Sequence, residues 1–274
     1  MKRVIWKRAC FAVQGRSHLS DQTPCQDSVA TAYRRNVNVI ALSDGAGSAS
    51  LSHFGSKECA QTLCNVLCRR FDEIWRMNNI DAKLSVTQEL CRQVEDKAHD
   101  LNSITTDLAA TALAVGVKRN RYIAIHLGDG AIGIELTNSD STTELKTLSS
   151  PDNGEHSNET YFITSNRAAE HVRIYTGTLD EQRPAVITGF ILMSDGPEAA
   201  LYRKADNQLA PACLKLLKSS RELNRRDMQT GLRATLELIA NTKTFDDCSI
   251  ALLSHTGESK RTQKRKRSKC QRQS

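Results

Sequence analysis

The sequence contains few aromatic residues and no long apolar run. Of its 274 residues only 5% are aromatic, and no run approaches the ~18 apolar residues of a membrane-spanning helix. The first eight residues carry four basic side chains, but no apolar stretch follows them. We therefore expect no secretory signal and a cytoplasmic protein.

The cysteines lack the spacing of a disulfide framework or a zinc site. There are nine of them, scattered along the chain, and no two form a C-x-x-C pair. Cys59, Cys64, Cys68 and Cys91 lie among apolar residues at helical spacing. This pattern predicts reduced thiols that pack as small apolar side chains.

The positive charge of the sequence is concentrated at its end. The chain has 38 Lys and Arg against 31 Asp and Glu, and residues 257–274 contain eight of the former and one of the latter. This leaves 30 basic and 30 acidic residues in positions 1–256. We predict one domain over 1–256, followed by a basic, disordered tail. The tail has two main candidate functions: it keeps the protein soluble, or it contacts nucleic acid or an anionic surface.

The apolar periodicity predicts alternating blocks of strands and helices. Strands are expected at 8–14, 37–43, 110–117, 122–127, 131–136, 186–193 and 248–253, and helices around 60–75, 86–101, 209–217 and 228–239. Residues 137–185 are polar, so we expect an irregular functional flap there. The block order is typical of an α+β layered sandwich with helices outside antiparallel sheets.

Acidic residues repeatedly stand where an apolar strand ends or begins. Three strands run into an Asp-Gly step, at Asp44, Asp129 and Asp195, while Asp27 and Asp246 directly precede other strands. A single Asp-Gly step is explained by turn formation alone. Five aspartates that converge at one sheet edge need a counter-charge, and oxygen ligands suit Mg²⁺ or Mn²⁺.

The ordered motifs resemble those of a known family. They are Gln26-Asp27, Asp44-Gly45-Ala46-Gly47-Ser48, Thr111-Ala112, Gly128-Asp129-Gly130, Ser194-Asp195-Gly196 and Asp246-Asp247-Cys248-Ser249, with Asn153-Gly154-Glu155 and Asn158–Phe162 between them. Over about residues 10–254 the chain resembles the metal-dependent protein phosphatases of the 2C type, and in particular their stand-alone bacterial branch. The resemblance implies a four-layer sandwich of two antiparallel sheets flanked by helix pairs.

The resemblance also assigns roles to individual residues. Asp44 would bridge two Mn²⁺ or Mg²⁺ ions and the Gly45 carbonyl would hold one of them. Asp27, Asp195 and Asp246 would complete the pair, mostly through waters, and Asp129 would bind a third, weaker ion. A hydroxide between the two ions would hydrolyse the phosphomonoester of a phosphorylated Ser/Thr protein, with Asp44 and Asp195 as catalytic residues.

Two positions depart from the family pattern. Ala46 stands where many members have a proposed general-acid histidine, and Gln22 stands where the phosphate-binding arginine is expected. Arg16 or His18 is the candidate to take over either role. The departures leave open a pseudophosphatase that binds a phosphoprotein or kinase without turnover. A phosphatase of small phosphoesters is a third interpretation. For the enzyme we expect a monomer that opposes a cognate kinase.

Overall fold

The computed structural model describes residues 4–152 and 160–258. Within them, twelve strands and seven α-helices alternate in blocks. The strands are β1 Val4–Val13, β2 Ser28–Arg34, β3 Val37–Ser43, β4 Ala112–Lys118, β5 Arg121–Leu127, β6 Ala131–Thr137, β7 Thr143–Ser149, β8 Arg173–Thr178, β9 Val186–Met193, β10 Tyr202–Arg203, β11 Gln208–Leu209 and β12 Cys248–Glu258. The helices are α1 Arg16–Ser20, α2 Ser52–Ile74, α3 Asn79–Asp100, α4 Ala168–His171, α5 Glu198–Leu201, α6 Ala212–Glu222 and α7 Arg225–Thr242, with a 3₁₀ turn at Thr105–Leu108.

Ten of these strands form two antiparallel sheets. One has the order β1-β12-β9-β6-β7 and the other the order β2-β3-β4-β5-β8. Between them lies an apolar layer to which β3 contributes Ile40 and Leu42, and β9 contributes Phe190 and Leu192. These four side chains are fully buried. Burial of such side chains stabilises the sandwich by roughly 1.5–3 kcal/mol each.

Helices cover the outer face of each sheet. α2 and α3 lie on the sheet that contains β3, and Leu63, Leu67 and Phe71 of α2 face its strands across a second apolar cluster. α6 and α7 lie on the sheet that contains β12, with Leu217 and Leu232 in a third cluster. The predicted four-layer sandwich with two antiparallel sheets and flanking helix pairs is therefore confirmed.

The predicted irregular flap over 137–185 is only partly correct. β7, α4 and β8 lie inside it, and β7 and β8 are edge strands. Edge strands expose one or both faces to water, so their sequences carry little apolar signal. The same reason explains why β2, another edge strand, has no clear apolar alternation.

Several features predicted from the sequence lie outside the described residues. They are the motif residues 153–159 and the tail from residue 259 onward. Strand β12 extends to Glu258, two residues past the expected end of the domain at residue 256. All eight described cysteines are free, although Cys91 is only half-buried, with its thiol donating to the Ile163 carbonyl. No helix within 4–152 and 160–258 is long and apolar enough to cross a membrane.

Candidate functional site

The strand register brings the five aspartates to one end of the sandwich. β2 pairs with β3 so that Ser28 lies opposite Ser43, which places Asp27 and Asp44 side by side beyond the pair. In the other sheet, Met193 lies opposite both Ala131 and Ile250. Asp129, Asp195 and Asp246 therefore leave the second sheet at the same end. Asp44 lies within electrostatic range of the other four, Asp27, Asp129, Asp195 and Asp246.

The backbone around Asp44 is fixed against the neighbouring strand. The Asp44 N–H donates to the Thr111 hydroxyl at 2.9 Å, and the Thr111 N–H donates to the Asp44 carbonyl at 2.8 Å. The Gly45 N–H donates to the Gln26 carbonyl, which joins the Asp44 turn to the Asp27 turn. A Cβ on Gly45 would lie 2.8 Å from Ser52 Cβ, so only glycine fits between the turn and α2.

The Ser194 hydroxyl holds Asp27, and Ser249 in turn supports Ser194. Ser194 donates to Asp27 Oδ2 at 2.7 Å, and its own oxygen accepts from the Ser249 N–H at 3.1 Å. Asp27 is only 5% exposed, so a hydroxyl donor compensates part of its lost hydration. The sequence motifs around Asp195 and Asp246 contain both serines, but their shared contact with Asp27 depends on the pairing of β9 and β12.

Asp247 organises the loop that carries Asp27. Its side chain is 2% exposed and accepts from the Gly15 and Gln26 N–H groups at 2.6 and 2.5 Å. His18 Nδ1 lies 2.9 Å from Asp247 Oδ1. These contacts place His18 beside Asp246, with which it interacts electrostatically. His18 is therefore near the aspartate cluster, as a residue that takes part in the chemistry must be.

Arg16 has partners outside the aspartate cluster, and Gln22 lies at the protein surface. The Arg16 guanidinium donates to the Thr244 carbonyl at 2.8 Å and lies 4.2 Å from the centre of the Phe245 ring. Gln22 is exposed and has a left-handed backbone with φ of 56°. The described contacts of Arg16 thus tie α1 to the loop before β12.

A buried histidine positions the turn that carries Asp129. The ring of His126 lies 2.7 Å from the Ser149 hydroxyl and 3.0 Å from the Gly128 carbonyl. Burial, with a contribution from Arg173, lowers the pKa of His126 to about 3, so the ring stays neutral. On the other side, Thr160 donates to Asp129 Oδ2 at 2.6 Å. His126 acts here as a structural support.

The clustered carboxylates destabilise one another's charged forms. Burial raises the pKa of Asp44 well above its usual value, and the charges of Asp27 and Asp195 add to the effect. Burial also raises the pKa of Asp27 to about 7, and burial together with the charge of Asp129 raises that of Asp195 to about 6. Asp246, at the exposed rim, has its pKa raised in the same sense. A cation in this cluster would remove the repulsion.

The donor chemistry of the cluster fits a hard divalent cation. All its side-chain donors are carboxylate oxygens, and the buried Asp27 Oδ1 and Asp195 Oδ1 have no hydrogen-bond partner. Within residues 4–152 and 160–258, no three His, Cys, Asp or Glu side chains already surround a common point at coordination distance. Mg²⁺ and similar ions often bind through one or two carboxylates and keep several waters. The residues present therefore fit an oxygen-ligated, partly hydrated ion.

A lysine and a buried glutamate next to the cluster were not predicted from the sequence. Glu198 is 4% exposed, its Oε1 has no partner, and its Oε2 lies 2.6 Å from Lys204 Nζ. Both line a cavity of about 290 Å³ that also contains Asp195. Lys204 interacts electrostatically with Asp195 and Asp129. The only sequence signal is Glu198 in the short stretch after Asp195-Gly196.

Comparison with known proteins agrees with a divalent-cation site at the aspartate cluster. The sequence profile described as Protein phosphatase 2C matches residues 14–237. The chain belongs to the protein phosphatase 2C family. The resemblance to this family that the sequence motifs indicated is confirmed. The prediction that the chain is an enzyme, a serine/threonine protein phosphatase, is also confirmed. Members of the protein phosphatase 2C family depend on metal ions.

Individual relatives are distant but span nearly the whole chain. The chain is 22% identical over 265 residues to serine/threonine-protein phosphatase 3 of Escherichia coli strain K12, covering 90% of this chain and 97% of that one. Serine/threonine phosphatase Stp1 from Staphylococcus aureus has a TM-score of 0.58 at 14% identity, covering 92% and 96% of the two chains. The catalytic domain of the phosphatase PstP, determined with two manganese ions, has a TM-score of 0.57 at 14% identity, covering 93% and 100%. These two structures share the protein phosphatase 2C fold with the chain.

Proposed function

We propose that this chain is a serine/threonine phosphoprotein phosphatase that uses two Mn²⁺ or Mg²⁺ ions, with a third, weaker ion beside them. The main supporting observation is the convergence of five aspartates at one end of the sandwich, where burial raises the pKa values of Asp27, Asp44, Asp195 and Asp246. Such an arrangement opposes folding unless positive charge occupies it. In the described part of the chain, no observation favours a binding protein without turnover.

Asp44 and the Gly45 carbonyl would hold the ion pair, with Asp27, Asp195 and Asp246 completing it through waters. Asp129 would hold the third ion together with Asp195. When bound, the ions supply a nucleophile at neutral pH and compensate the negative charge of the phosphoryl group. Ser194 keeps Asp27 in place, and Thr160 does the same for Asp129.

Two cationic or proton-carrying side chains complete the proposed site. Lys204 is held beside Asp195 by Glu198 and can contact the phosphate of the substrate. His18 is oriented by Asp247 and can donate a proton to the departing serine or threonine oxygen. Arg16 is the weaker candidate because the Thr244 carbonyl and the Phe245 ring occupy its guanidinium.

The test is hydrolysis of a phosphoserine or phosphothreonine peptide by the full-length protein, with Mn²⁺ and with EDTA. We expect turnover only with the metal. Isothermal titration calorimetry of the Mn²⁺-loaded protein with the same peptide separates turnover from binding. Tight binding without any released phosphate would contradict the proposal. Faster hydrolysis of small phosphoesters than of peptides would replace the protein substrate with a metabolite.

A prediction follows for Lys204. Lys204→Ala should raise KM for the phosphopeptide about tenfold with little change in kcat, because a charge-assisted contact to the substrate phosphate is lost. Lys204→Arg should restore most of the affinity. Inhibition by inorganic phosphate should weaken in parallel with the change in KM. Lys215→Ala, which removes an exposed lysine of α6, serves as the matched control. Equal effects of the two alanine variants would remove Lys204 from the site.

We also propose a cellular setting for the enzyme. A protein phosphatase opposes a kinase, so we propose a cognate kinase as its functional partner, and a monomer as the working state. The basic residues of the tail allow contact with nucleic acid or an anionic surface. A cytoplasmic location is consistent with the reduced cysteines of the described residues.

A further inference from the structure

Basic residues line a cavity at the end of the sandwich opposite the aspartates. We call it the distal cavity; Arg35, Arg69, Arg70, Arg76 and Lys118 supply its positive charge, and its volume is about 560 Å³. Strand β3 connects the two ends, with Val37 near the cavity and Ser43 beside Asp44. A strand of this length spans roughly 20 Å. The distal cavity is therefore separate from the candidate metal centre.

Part of this positive charge is already compensated. Asp72 binds Lys118 and Arg121, and Arg70 donates to Glu73 Oε1 and Oε2 at 2.6 and 2.9 Å. These pairs fix the side chains that form the wall of the cavity.

Three arginines in the distal cavity have no acidic partner among residues 4–152 and 160–258. Arg35, Arg69 and Arg76 are exposed, and none of them forms an ion pair with a described carboxylate. The described contact of Arg35 is a hydrogen bond from its guanidinium to the Arg69 carbonyl at 3.4 Å. Three unpaired guanidinium groups around a concavity create a positive potential that attracts anionic groups.

Two hairpin turns at this end of the sandwich place arginine where another residue fits better. Arg35 and Arg119 have left-handed backbones, with φ of 53° and 57°. This conformation favours glycine or asparagine and is unfavourable for a long side chain. Arg35 lines the distal cavity, and Arg119 adds a second exposed positive charge at the same end of the sandwich.

We propose that the distal cavity binds an acidic stretch of a partner polypeptide. The carboxylates of Asp72 and Glu73 lie in the cavity wall and would repel a continuous phosphodiester backbone, whereas the separate side-chain carboxylates of a flexible peptide can reach the arginines individually. Aromatic surface for base stacking is lacking among the described residues there, because Phe71 is 1% exposed and Arg121 covers the Trp75 ring at 4.9 Å. The tail of the same chain does not fit, since residues 257–274 contain eight basic residues and one acid.

The test measures binding of a fluorescein-labelled 12-residue polyglutamate peptide to full-length, Mn²⁺-loaded protein freed of excess metal. The double variant Arg69→Glu/Arg76→Glu should weaken binding about tenfold at low ionic strength. Lys215→Glu/Lys218→Glu makes the same charge change at two exposed positions of α6 and should weaken binding less than about twofold. The basic tail is common to all three proteins, so the difference between the variants belongs to the distal cavity.

Hydrolysis of p-nitrophenyl phosphate should stay unchanged in both double variants, which shows that they fold. If Arg69→Glu/Arg76→Glu loses this activity, Arg69→Gln/Arg76→Gln replaces it in the binding assay. Equal weakening by the two charge reversals would overturn the proposal. So would a 12-nucleotide DNA strand that binds more tightly than the peptide and loses as much affinity in Arg69→Glu/Arg76→Glu. Loss of all phosphatase activity in the unmodified protein would instead count against the proposed function alone.

A second variant separates binding from structural stability. Arg35→Gly/Arg119→Gly removes two positive charges and relieves two left-handed arginines. It should keep or raise the melting temperature while lowering affinity for the peptide. A variant that is destabilised and binds as tightly as the original protein would show that these arginines serve the fold.

Discussion

We expect Asp44→Asn to lower phosphopeptide turnover on the order of 10³-fold and to raise the melting temperature of the metal-free protein. Turnover should fall because the carboxylate that interacts electrostatically with all four other aspartates loses its charge. Stability rises because one source of repulsion is removed from a buried cluster. Steady-state kinetics with saturating Mn²⁺ and thermal denaturation in EDTA measure the two effects.

The pH dependence of the metal-free protein provides a second readout. Folding raises the pKa of Asp27 to about 7 and that of Asp195 to about 6, from a usual value of 3.8. Between these values the folded state holds more protons than the unfolded state. Its free energy of unfolding should therefore fall as the pH rises from about 4 to about 7. Added Mn²⁺ should reduce this decline, because the ion replaces the protons as the counter-charge.

Asp21→Asn is the matched control for Asp44→Asn. Asp21 is an exposed aspartate at the end of α1, and its described side-chain partner is the Ser20 hydroxyl. We expect its turnover and its melting temperature in EDTA to match those of the unmodified protein. If Asp44→Asn keeps more than about a tenth of the turnover, the assignment of Asp44 to the ion pair is wrong.

Gly196→Ala should destabilise the fold by about 3 kcal/mol and weaken Mn²⁺ binding together with activity. A Cβ on Gly196 would lie 1.9 Å from the Asp247 carbonyl oxygen, which is far shorter than the van der Waals contact distance between carbon and oxygen. Relief of this contact requires β9 to separate from the loop before β12, which moves Asp195 away from Asp246. Chemical denaturation and calorimetric Mn²⁺ titration test the prediction.

Gly231→Ala is the matched control: it makes the same chemical change and is expected to stabilise the fold. Gly231 lies in α7, and an added Cβ meets nothing within 4 Å. Alanine in the middle of a helix should stabilise the protein by about 1 kcal/mol and leave Mn²⁺ binding unchanged. A Gly196→Ala protein as stable as Gly231→Ala would show that the loops of the site rearrange freely.

The central strands were predictable from the sequence, whereas of the edge strands only β1 was predicted, and β2, β7 and β8 were not. Strands β3, β5 and β9 are buried on both faces and read as nearly continuous apolar runs. Edge strand β7 has the sequence TELKTLS, in which four polar residues are partly or fully exposed to solvent. The polar pattern of β7 is shared by ordinary loops, so periodicity alone could not separate the two.

The aspartates of the site were predictable because each belongs to a short local motif. Their hydroxyl and amide partners were harder, since Ser194 reaches Asp27 across 167 residues of sequence. Lys204 was not predicted because it lies in the short β10–β11 hairpin, where basic residues are common on any surface. Its relation to Glu198 depends on the burial of that glutamate, which only the packed structure reveals.

The place of β12 in its sheet affects how the protein is made. This strand lies between β1 and β9, so the first and the last described strands are neighbours. Asp246 and Asp247 enter the site directly before β12. A ribosome that has synthesised only residues up to β9 therefore carries a chain whose sheet lacks an interior strand and whose aspartate cluster lacks one side. The aspartate cluster can therefore form only after β12 has been translated.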